Sequence, residues 1–199
     1  MRERPANYKL REKKYEYKKY EYSETGIPQT SACTRYMDES ERQMGFSFGN
    51  SGCARGLMNG DVFDSGDVRE ITVPFCPESR LSGIGYTDFI AAVWYRRHFE
   101  ISEKQLRGRV LLHFGAVDYR CVWINGREVG SHRGGYSSFT FDITDAAAVG
   151  DNVIVVYAAD DLRSMTQPYG KQSVSYHSQG CSYTRTTGIW QTVWLEFVP

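Results

Sequence analysis

The feature that most constrains the fold is a series of short segments rich in Val, Ile, Tyr, Phe and Trp, separated by turn residues. Between two of them lies Asn125-Gly126, preceded by Val122-Trp123-Ile124 and followed by Arg127-Glu128-Val129. A type I′ turn needs positive φ at both central residues, which Asn and Gly tolerate best, so this segment predicts a β-hairpin. Trp94 and Trp123 lie inside predicted strands and are expected in the core. The clearest predicted strands are 69–73, 92–99, 109–114, 119–124, 138–143, 152–158 and 191–198.

Short strands at this spacing, without a long amphipathic helical pattern, predict an all-β fold: an antiparallel β-sandwich or jelly roll. Charged residues are concentrated in the first 42 residues, which divides the chain into a charged, Tyr-rich arm (1–42) and a sandwich domain (43–199). Within the arm, residues 8–22 mix strand and helix periodicities. A solvated arm, an edge strand and a basic-aromatic RNA-binding tail are the alternatives, and the interleaved Glu residues argue against the last.

Composition excludes several classes of function. The 24 Lys and Arg residues balance the 24 Asp and Glu residues, whereas nucleic-acid-binding domains usually carry a clustered basic excess. No apolar run approaches the roughly 20 residues that cross a bilayer. The charged start of the chain has no apolar segment of a secretion signal, so we expect a cytoplasmic protein. Five cysteines without a Cys-x-x-Cys pair predict reduced thiols and neither a zinc site nor a redox motif.

Several stretches, in chain order from about residue 68 to the C-terminus, share the pattern of one enzyme family. They are Ile71-Thr72-Val73-Pro74-Phe75, Leu81-Ser82-Gly83-Ile84, Val93-Trp94-Tyr95-Arg96-Arg97-His98-Phe99, Leu112-His113-Phe114-Gly115-Ala116-Val117-Asp118-Tyr119, Val122-Trp123-Ile124-Asn125-Gly126, Gly134-Gly135-Tyr136, Phe141-Asp142-Ile143-Thr144 and Tyr183-Thr184-Arg185-Thr186-Thr187-Gly188-Ile189-Trp190-Gln191-Thr192-Val193-Trp194-Leu195-Glu196.

Together these stretches resemble the N-terminal sugar-binding domain of glycoside hydrolase family 2, which includes β-galactosidases, β-glucuronidases and β-mannosidases. The resemblance implies a galactose-binding-domain-like jelly roll. It also implies that both catalytic carboxyl groups belong to a separate barrel domain, where an Asn precedes the acid/base Glu. No Asn-Glu dipeptide occurs in this chain, and a (β/α)₈ barrel typically takes about 250 residues. We therefore expect a piece of a larger enzyme, without catalytic residues, metal or cofactor of its own.

The resemblance places the loops after residue 159 at the edge that faces the barrel. Asp160 and Asp161 follow a predicted strand, and Arg185 and Trp190 lie in the turn before the last one. Carboxylates accept hydrogen bonds from sugar hydroxyls and an exposed Trp stacks on a pyranose face, so these four are the predicted substrate-binding residues. The alternative roles are structural: Asp160 caps a turn, Arg185 pairs with a carboxylate, and Trp190 packs between the sheets. Two positions of these loops depart from the family pattern. Relatives often carry Arg where this chain has Tyr169, and some relatives carry an acidic residue near the position of Ser182.

Three functions are consistent with the sequence. The first is a non-catalytic sugar-binding domain that walls the active site of a family 2 hydrolase, binds carbohydrate only weakly alone and contacts Ig-like and barrel domains of its parent. The second is an independent carbohydrate-binding module. The third is a protein-interaction sandwich, and self-association into a homo-oligomer is compatible with each of them.

Overall fold

The computed structural model describes residues 33–36, 42–49, 68–118, 120–164 and 167–199. The 8–22 segment, for which the sequence left three alternatives, lies outside these residues. Four residues of the predicted arm, Cys33–Tyr36, form a strand of the sandwich. No helix in the described ranges is long and apolar enough to span a membrane.

Ten described strands form two sheets, and every pairing is antiparallel. The four-stranded sheet has the order β1-β10-β5-β8 and the six-stranded sheet the order β3-β2-β4-β9-β6-β7. The predicted all-β antiparallel sandwich is confirmed. The strands are β1 (Cys33–Tyr36), β2 (Gln43–Gly49), β3 (Arg69–Thr72), β4 (Ala92–Ile101), β5 (Arg109–Phe114), β6 (Arg120–Ile124), β7 (Arg127–His132), β8 (Phe139–Asp142), β9 (Gly150–Ala159) and β10 (Val193–Val198). Short 3-10 helices span Arg80–Ser82, Gln105–Arg107 and Leu162–Ser164.

Alternate residues of the strands face the space between the sheets, as the period-two pattern predicts. Fully burying one such apolar side chain contributes about 1.5–3 kcal/mol relative to leaving it exposed. The facing β5 and β9 show the alternation most clearly, with Val110, Leu112, Phe114, Ile154, Val156 and Ala158 buried in one core.

The Asn125-Gly126 hairpin is confirmed. Both residues have positive φ, +51° and +79° respectively, and they join β6 to β7. The Asn125 side chain also fastens the turn to its surroundings, since Nδ2 donates to Ala146 O and Oδ1 accepts from Val153 N, both at 2.9 Å. The turn is therefore held by side-chain hydrogen bonds as well as by backbone geometry.

Trp94 and Trp123 are buried, as predicted, but not between the sheets. Val93 and Tyr95 belong to the main core, so the intervening Trp94 points to the outer face of the six-stranded sheet. There the two indole rings stack with centroids 5.9 Å apart, and Tyr157 packs on Trp94 at 4.7 Å. The protein thus has a second, smaller apolar cluster outside the sandwich.

The strand pairings gather the long connections at one end of the sandwich. β4 and β6 begin where β9 and β7 end, and β10 and β8 begin where β5 ends. The β5–β6 and β7–β8 connections are short and cross between the sheets, so these strand ends lie together. We call residues 83–91, 115–118, 133–138, 160–164 and 167–192 the loop end. It contains all four predicted sugar-binding residues.

Candidate functional site

The segment that precedes β10 is fixed to the interior by two buried side chains. The phenolic oxygen of Tyr95 accepts a hydrogen bond from Ile189 N at 3.1 Å. The Glu78 carboxyl accepts hydrogen bonds from Thr187 N at 3.2 Å and Thr187 Oγ1 at 2.6 Å. Burial raises the pKa of Glu78, while the bonds from Thr187 lower it. Only glycine fits between these anchors, because Gly188 has φ +75° and a Cβ there would lie 2.2 Å from the Tyr95 oxygen.

Two carboxyl groups are buried at the loop end, with Asp160 3% and Asp118 4% exposed. Asp160 Oδ1 accepts a hydrogen bond from Gln167 Nε2, and Oδ2 is buried without a partner among the described residues. Asp118 packs directly on Gly135, where a Cβ atom would lie 1.5 Å from Asp118 Oδ1. Burial raises the pKa of Asp118 to about 7. Burial, together with the charge of Asp118, raises the pKa of Asp160 to about 8. Near neutral pH these groups retain protons that ordinary carboxyls have lost.

Arg120 is buried beside this pair and stacks on an aromatic ring. Its Nη1 donates to Val117 O at 2.5 Å, and its guanidinium carbon lies 3.3 Å from the centre of the Phe139 ring. Nε and Nη2 are buried without hydrogen-bond partners in the described part of the chain. Burial lowers the pKa of Arg120 to about 9, and the Asp118 carboxylate raises it. The positive charge in turn lowers the pKa of Asp118.

Arg185 is 2% exposed and holds two loops together. Its Nη1 donates to Ser173 O at 3.1 Å and Ser175 O at 2.8 Å, and its Nη2 donates to Thr87 O. The guanidinium carbon also lies 4.1 Å from the centre of the Phe89 ring. Its hydrogen bonds therefore go to backbone carbonyl oxygens, which gives Arg185 a positioning role in the 172–187 segment.

Asp161, unlike its neighbour Asp160, is exposed at the surface. Its Oδ1 accepts hydrogen bonds from Arg163 N at 3.2 Å and Ser164 N at 3.3 Å, so the side chain caps the short helix Leu162–Ser164. The guanidinium of Arg163 lies 3.7 Å from the centre of the Phe89 ring, the same ring that Arg185 contacts. The cap thus fixes the start of the long loop while leaving the carboxylate accessible.

Trp190 is half-buried and its ring is fixed in one orientation. Nε1 donates to Gly135 O at 3.0 Å, and the Tyr136 ring meets it edge-on with centroids 6.1 Å apart. The indole lines an open groove of about 900 Å³, a size within the range of ligand sites. Other residues of this groove are Arg42, Phe75, Ser138, Gln191 and Trp194.

Comparisons with known proteins identify the family of this domain. The model of the glycosyl hydrolases family 2 sugar binding domain matches residues 86–199, more than half of the chain. The chain belongs to this family. The matched range contains the strands from β4 to β10, all four predicted sugar-binding residues, and Gly135 and Tyr136, which hold the Trp190 ring.

Individual relatives of this family 2 domain are glycosidases. A β-galactosidase of Thermoanaerobacter pseudethanolicus is 34% identical over 114 residues, which cover 56% of this chain and 14% of that protein. A β-glucuronidase of Chlorocebus aethiops is 31% identical over 142 residues, covering 67% of this chain and 22% of that protein. The chain therefore spans only a small part of the length of these relatives.

Solved structures show the same fold. A Bifidobacterium dentium β-glucuronidase complexed with coumarin-3-O-glucuronide superposes with a TM-score of 0.65 at 18% identity, over 89% of this chain and 31% of that one. A Ruminococcus gnavus β-glucuronidase in complex with a C6-substituted uronic isofagomine gives a TM-score of 0.64 at 22% identity, over 90% and 32% of the two chains. At these identities the likeness concerns the fold alone.

The family 2 domain arranges its four predicted residues in two neighbourhoods of the loop end. In the first, Asp118 lies near Asp160 and packs on Gly135, whose carbonyl oxygen accepts the hydrogen bond from Trp190. In the second, Asp161 bonds the backbone of Arg163, and the side chains of Arg163 and Arg185 contact the same ring, that of Phe89. Asp161 and Trp190 present surface to solvent, while Asp160 and Arg185 shape the loops from inside. Sugar contact by any of the four stays a prediction.

Three residues that hold this site together were not among the predicted ones: Glu78, Tyr95 and Asp118. Asp118 is partly indicated by the sequence, because this acidic residue directly follows the apolar segment Leu112–Val117 and so marks the end of a strand. Glu78 has no such indication, since its partner Thr187 lies 109 residues further along the chain.

Of the described cysteines, Cys76, Cys121 and Cys181 carry free thiols, in agreement with the prediction of reduced cysteines for these three. Burial, and to a lesser extent the charge of Glu78, raises the pKa of Cys76 to about 12. A thiol in this environment is a poor nucleophile, because the reactive form is the thiolate.

Proposed function

We propose that this chain is the non-catalytic sugar-binding domain of a family 2 glycoside hydrolase whose parent hydrolyses the O-glycosidic bonds of β-glycosides. In this proposal the loop end forms one wall of an active site whose catalytic carboxyl groups belong to a barrel domain. The family match and the relatives, a β-galactosidase and several β-glucuronidases, support it. Contacts with barrel and Ig-like domains, and any self-association, belong to the same proposal.

The observation that carries the proposal is the fixed indole of Trp190 in the lining of an open groove. A hydrogen bond to Gly135 O and the edge of Tyr136 hold this ring, so no side-chain freedom is lost when a ligand stacks on it. Pyranose rings have apolar faces and polar edges, which suits a rigid aromatic surface flanked by hydrogen-bonding groups. The exposed Tyr136 and Tyr183 add further aromatic surface at the same end.

The environment of the carboxyl groups supports a non-catalytic role. A retaining glycosidase needs two carboxyl groups about 5–5.5 Å apart, both in contact with the sugar. Glu78 is 8% exposed, and Asp118 and Asp160 at the loop end are 4% and 3% exposed, so all three are enclosed by the protein. Their raised pKa values follow from burial rather than from a catalytic cleft.

The first test is enzymatic and uses the purified chain. We expect no turnover of aryl β-galactosides or aryl β-glucuronides, and weak binding of the corresponding monosaccharides. One wall of a pocket leaves most sugar hydroxyls in water, so the dissociation constant is expected at or above 1 mM, which corresponds to −4.1 kcal/mol. Turnover that persists in a preparation free of host glycosidases contradicts the proposal.

The second candidate function is an independent carbohydrate-binding module, and the size of the groove beside Trp190 favours it as the alternative. Micromolar monosaccharide binding by the chain alone supports this module and contradicts the one-wall arrangement. The coding sequence that surrounds the chain gives a further test. An open reading frame that continues into a barrel with an Asn-Glu dipeptide supports the hydrolase proposal, and its absence supports the module.

A further inference from the structure

The groove beside Trp190 is larger than one sugar requires. It encloses about 900 Å³, near the top of the roughly 300–1,000 Å³ range of small-molecule sites. The groove is open, and Phe75, Trp190 and Trp194 are among the residues that line it. A single pyranose occupies only part of such a space, whereas a chain of sugars extends along it.

Two indole rings along the groove are held in place by their neighbours. Trp190 is fixed by Gly135 and Tyr136, as described above. Trp194 stacks on His113 with ring centroids 4.9 Å apart and planes 10° from parallel, and His113 Nε2 bonds Glu196 Oε2 at 2.9 Å. Aromatic rings that are already ordered bind a ligand face without a further loss of conformational entropy.

Four polar side chains of the groove make no hydrogen bond within the described part of the protein. Gln191 and Thr192 are exposed between the two tryptophans, Ser138 is exposed nearby, and Arg42 is half-exposed. None of these four side chains makes a hydrogen bond to a described group, although their neighbours are extensively bonded. Polar groups that are not used by the fold remain available to a ligand rich in hydroxyl groups.

We propose that this groove binds a saccharide chain of at least two residues, with sugar faces on Trp190 and Trp194 and hydroxyl groups bonded to Gln191, Thr192 and Arg42. The inference rests on the proposed function, because the carbohydrate chemistry of the ligand comes from the family to which the chain belongs. The proposed function requires contact with one sugar only, and this inference adds binding sites for the further sugars of a chain.

The test compares ligand length on the purified chain by isothermal titration calorimetry. Mono-, di- and tetrasaccharides built from glucose, galactose, xylose, mannose or glucuronate serve as probes. For at least one series we expect the tetrasaccharide to bind tenfold or more tightly than the monosaccharide. A dissociation constant that does not change with length in any series overturns the inference. Monosaccharide binding that persists without this gain leaves the proposed function standing.

Variants of groove residues test whether the tighter binding of the tetrasaccharide arises in the groove. Gln191→Ala and Arg42→Ala remove exposed or half-exposed groups without hydrogen bonds in the described fold, and each is expected to weaken tetrasaccharide binding at least threefold with an unchanged melting temperature. Trp190→Ala is expected to weaken it tenfold, and Trp190→Phe less. Lys104→Ala removes an exposed polar side chain that makes no hydrogen bond in the described fold and lies outside both the groove and the loop end, and it serves as the matched control. Equal losses for Lys104→Ala and Gln191→Ala contradict the assignment.

Discussion

The buried carboxyl of Asp160 makes stability depend on pH in an unusual direction. Its pKa is raised from 3.8 to about 8, chiefly by burial, so the folded state binds this proton more tightly than the unfolded chain does. The stabilisation is therefore complete below pH 3.8 and is lost as the pH rises towards 8. Most proteins gain carboxylate stabilisation over the lower part of this range, because paired carboxylates have lowered pKa values.

Asp160→Asn isolates this effect because it keeps an acceptor for Gln167 Nε2 and cannot ionise. Between pH 5 and pH 7 the folded wild type keeps a proton that the unfolded chain has lost. Its free energy of unfolding therefore falls by about 1.4 kcal/mol per pH unit, or about 3 kcal/mol in total. We expect the variant to gain that amount relative to the wild type over this interval. With a urea m value of roughly 2 kcal/mol/M, the two midpoints move by about 1.5 M relative to each other.

The assay is urea unfolding followed by tryptophan fluorescence at pH 5, 6 and 7. Glu78 and His132 have shifted pKa values too, but they titrate in both proteins and largely cancel in the difference. Asp118 does not cancel fully, because its charge raises the pKa of Asp160, so the measured difference includes the change in Asp118 titration. Asp160→Ala loses the bond from Gln167 at every pH, and is expected to show the same flattened pH dependence on a lower baseline. The reasoning is refuted if Asp160→Asn loses stability equally at pH 5 and pH 7, because the carboxylate is then bound as an ion.

Three further outcomes follow from the fold. Gly126→Val places a β-branched residue at φ +79° with no atom within 4 Å of its Cβ, so backbone strain alone should cost about 1–3 kcal/mol, and Gly126→Asn much less; equal urea midpoints would contradict the turn. Tyr95→Phe leaves the Ile189 N–H unpaired and should lower stability by about 1–3 kcal/mol, whereas an unchanged midpoint would mean that this bond does not hold the loop. Reductant should leave the melting temperature unchanged, since Cys76, Cys121 and Cys181 are free; a fall of about 10 °C, as loss of a disulfide worth about 2–4 kcal/mol produces, would contradict this.

The strands were predictable because their signal is local. Alternation of apolar residues located seven of the ten described strands to within two residues, and positive φ at Asn125 and Gly126 follows from the residue types alone. The position of Trp94 was predictable from the same alternation, because Val93 and Tyr95 cannot face the core unless Trp94 faces away. The large apolar side chain of Trp94 suggested a place in the main core, but the alternation of the strand directs it to the outer face.

The interior of the loop end was not predictable in the same way. Asp160 lies directly after a strand, which indicates an exposed loop residue, and only the fold brings Asp118 and Gln172 against it. Arg185 likewise looks like a surface charge in the sequence, yet it is buried by loops some 10 and 98 residues away. Contacts between distant segments decide burial here, and no local pattern records them.

The most direct test of sugar binding at Trp190 uses the indole N–H signals of the protein's four tryptophans in a two-dimensional ¹H–¹⁵N NMR titration. Trp190 and Trp194 line the groove, whereas Trp94 and Trp123 are buried on the outer face of the six-stranded sheet and serve as internal controls. On addition of galactose, glucuronate and their tetrasaccharides, we predict that the Trp190 and Trp194 signals move and the other two stay. Signals of Trp94 and Trp123 that move equally, or four signals that stay fixed with every saccharide, would contradict the account.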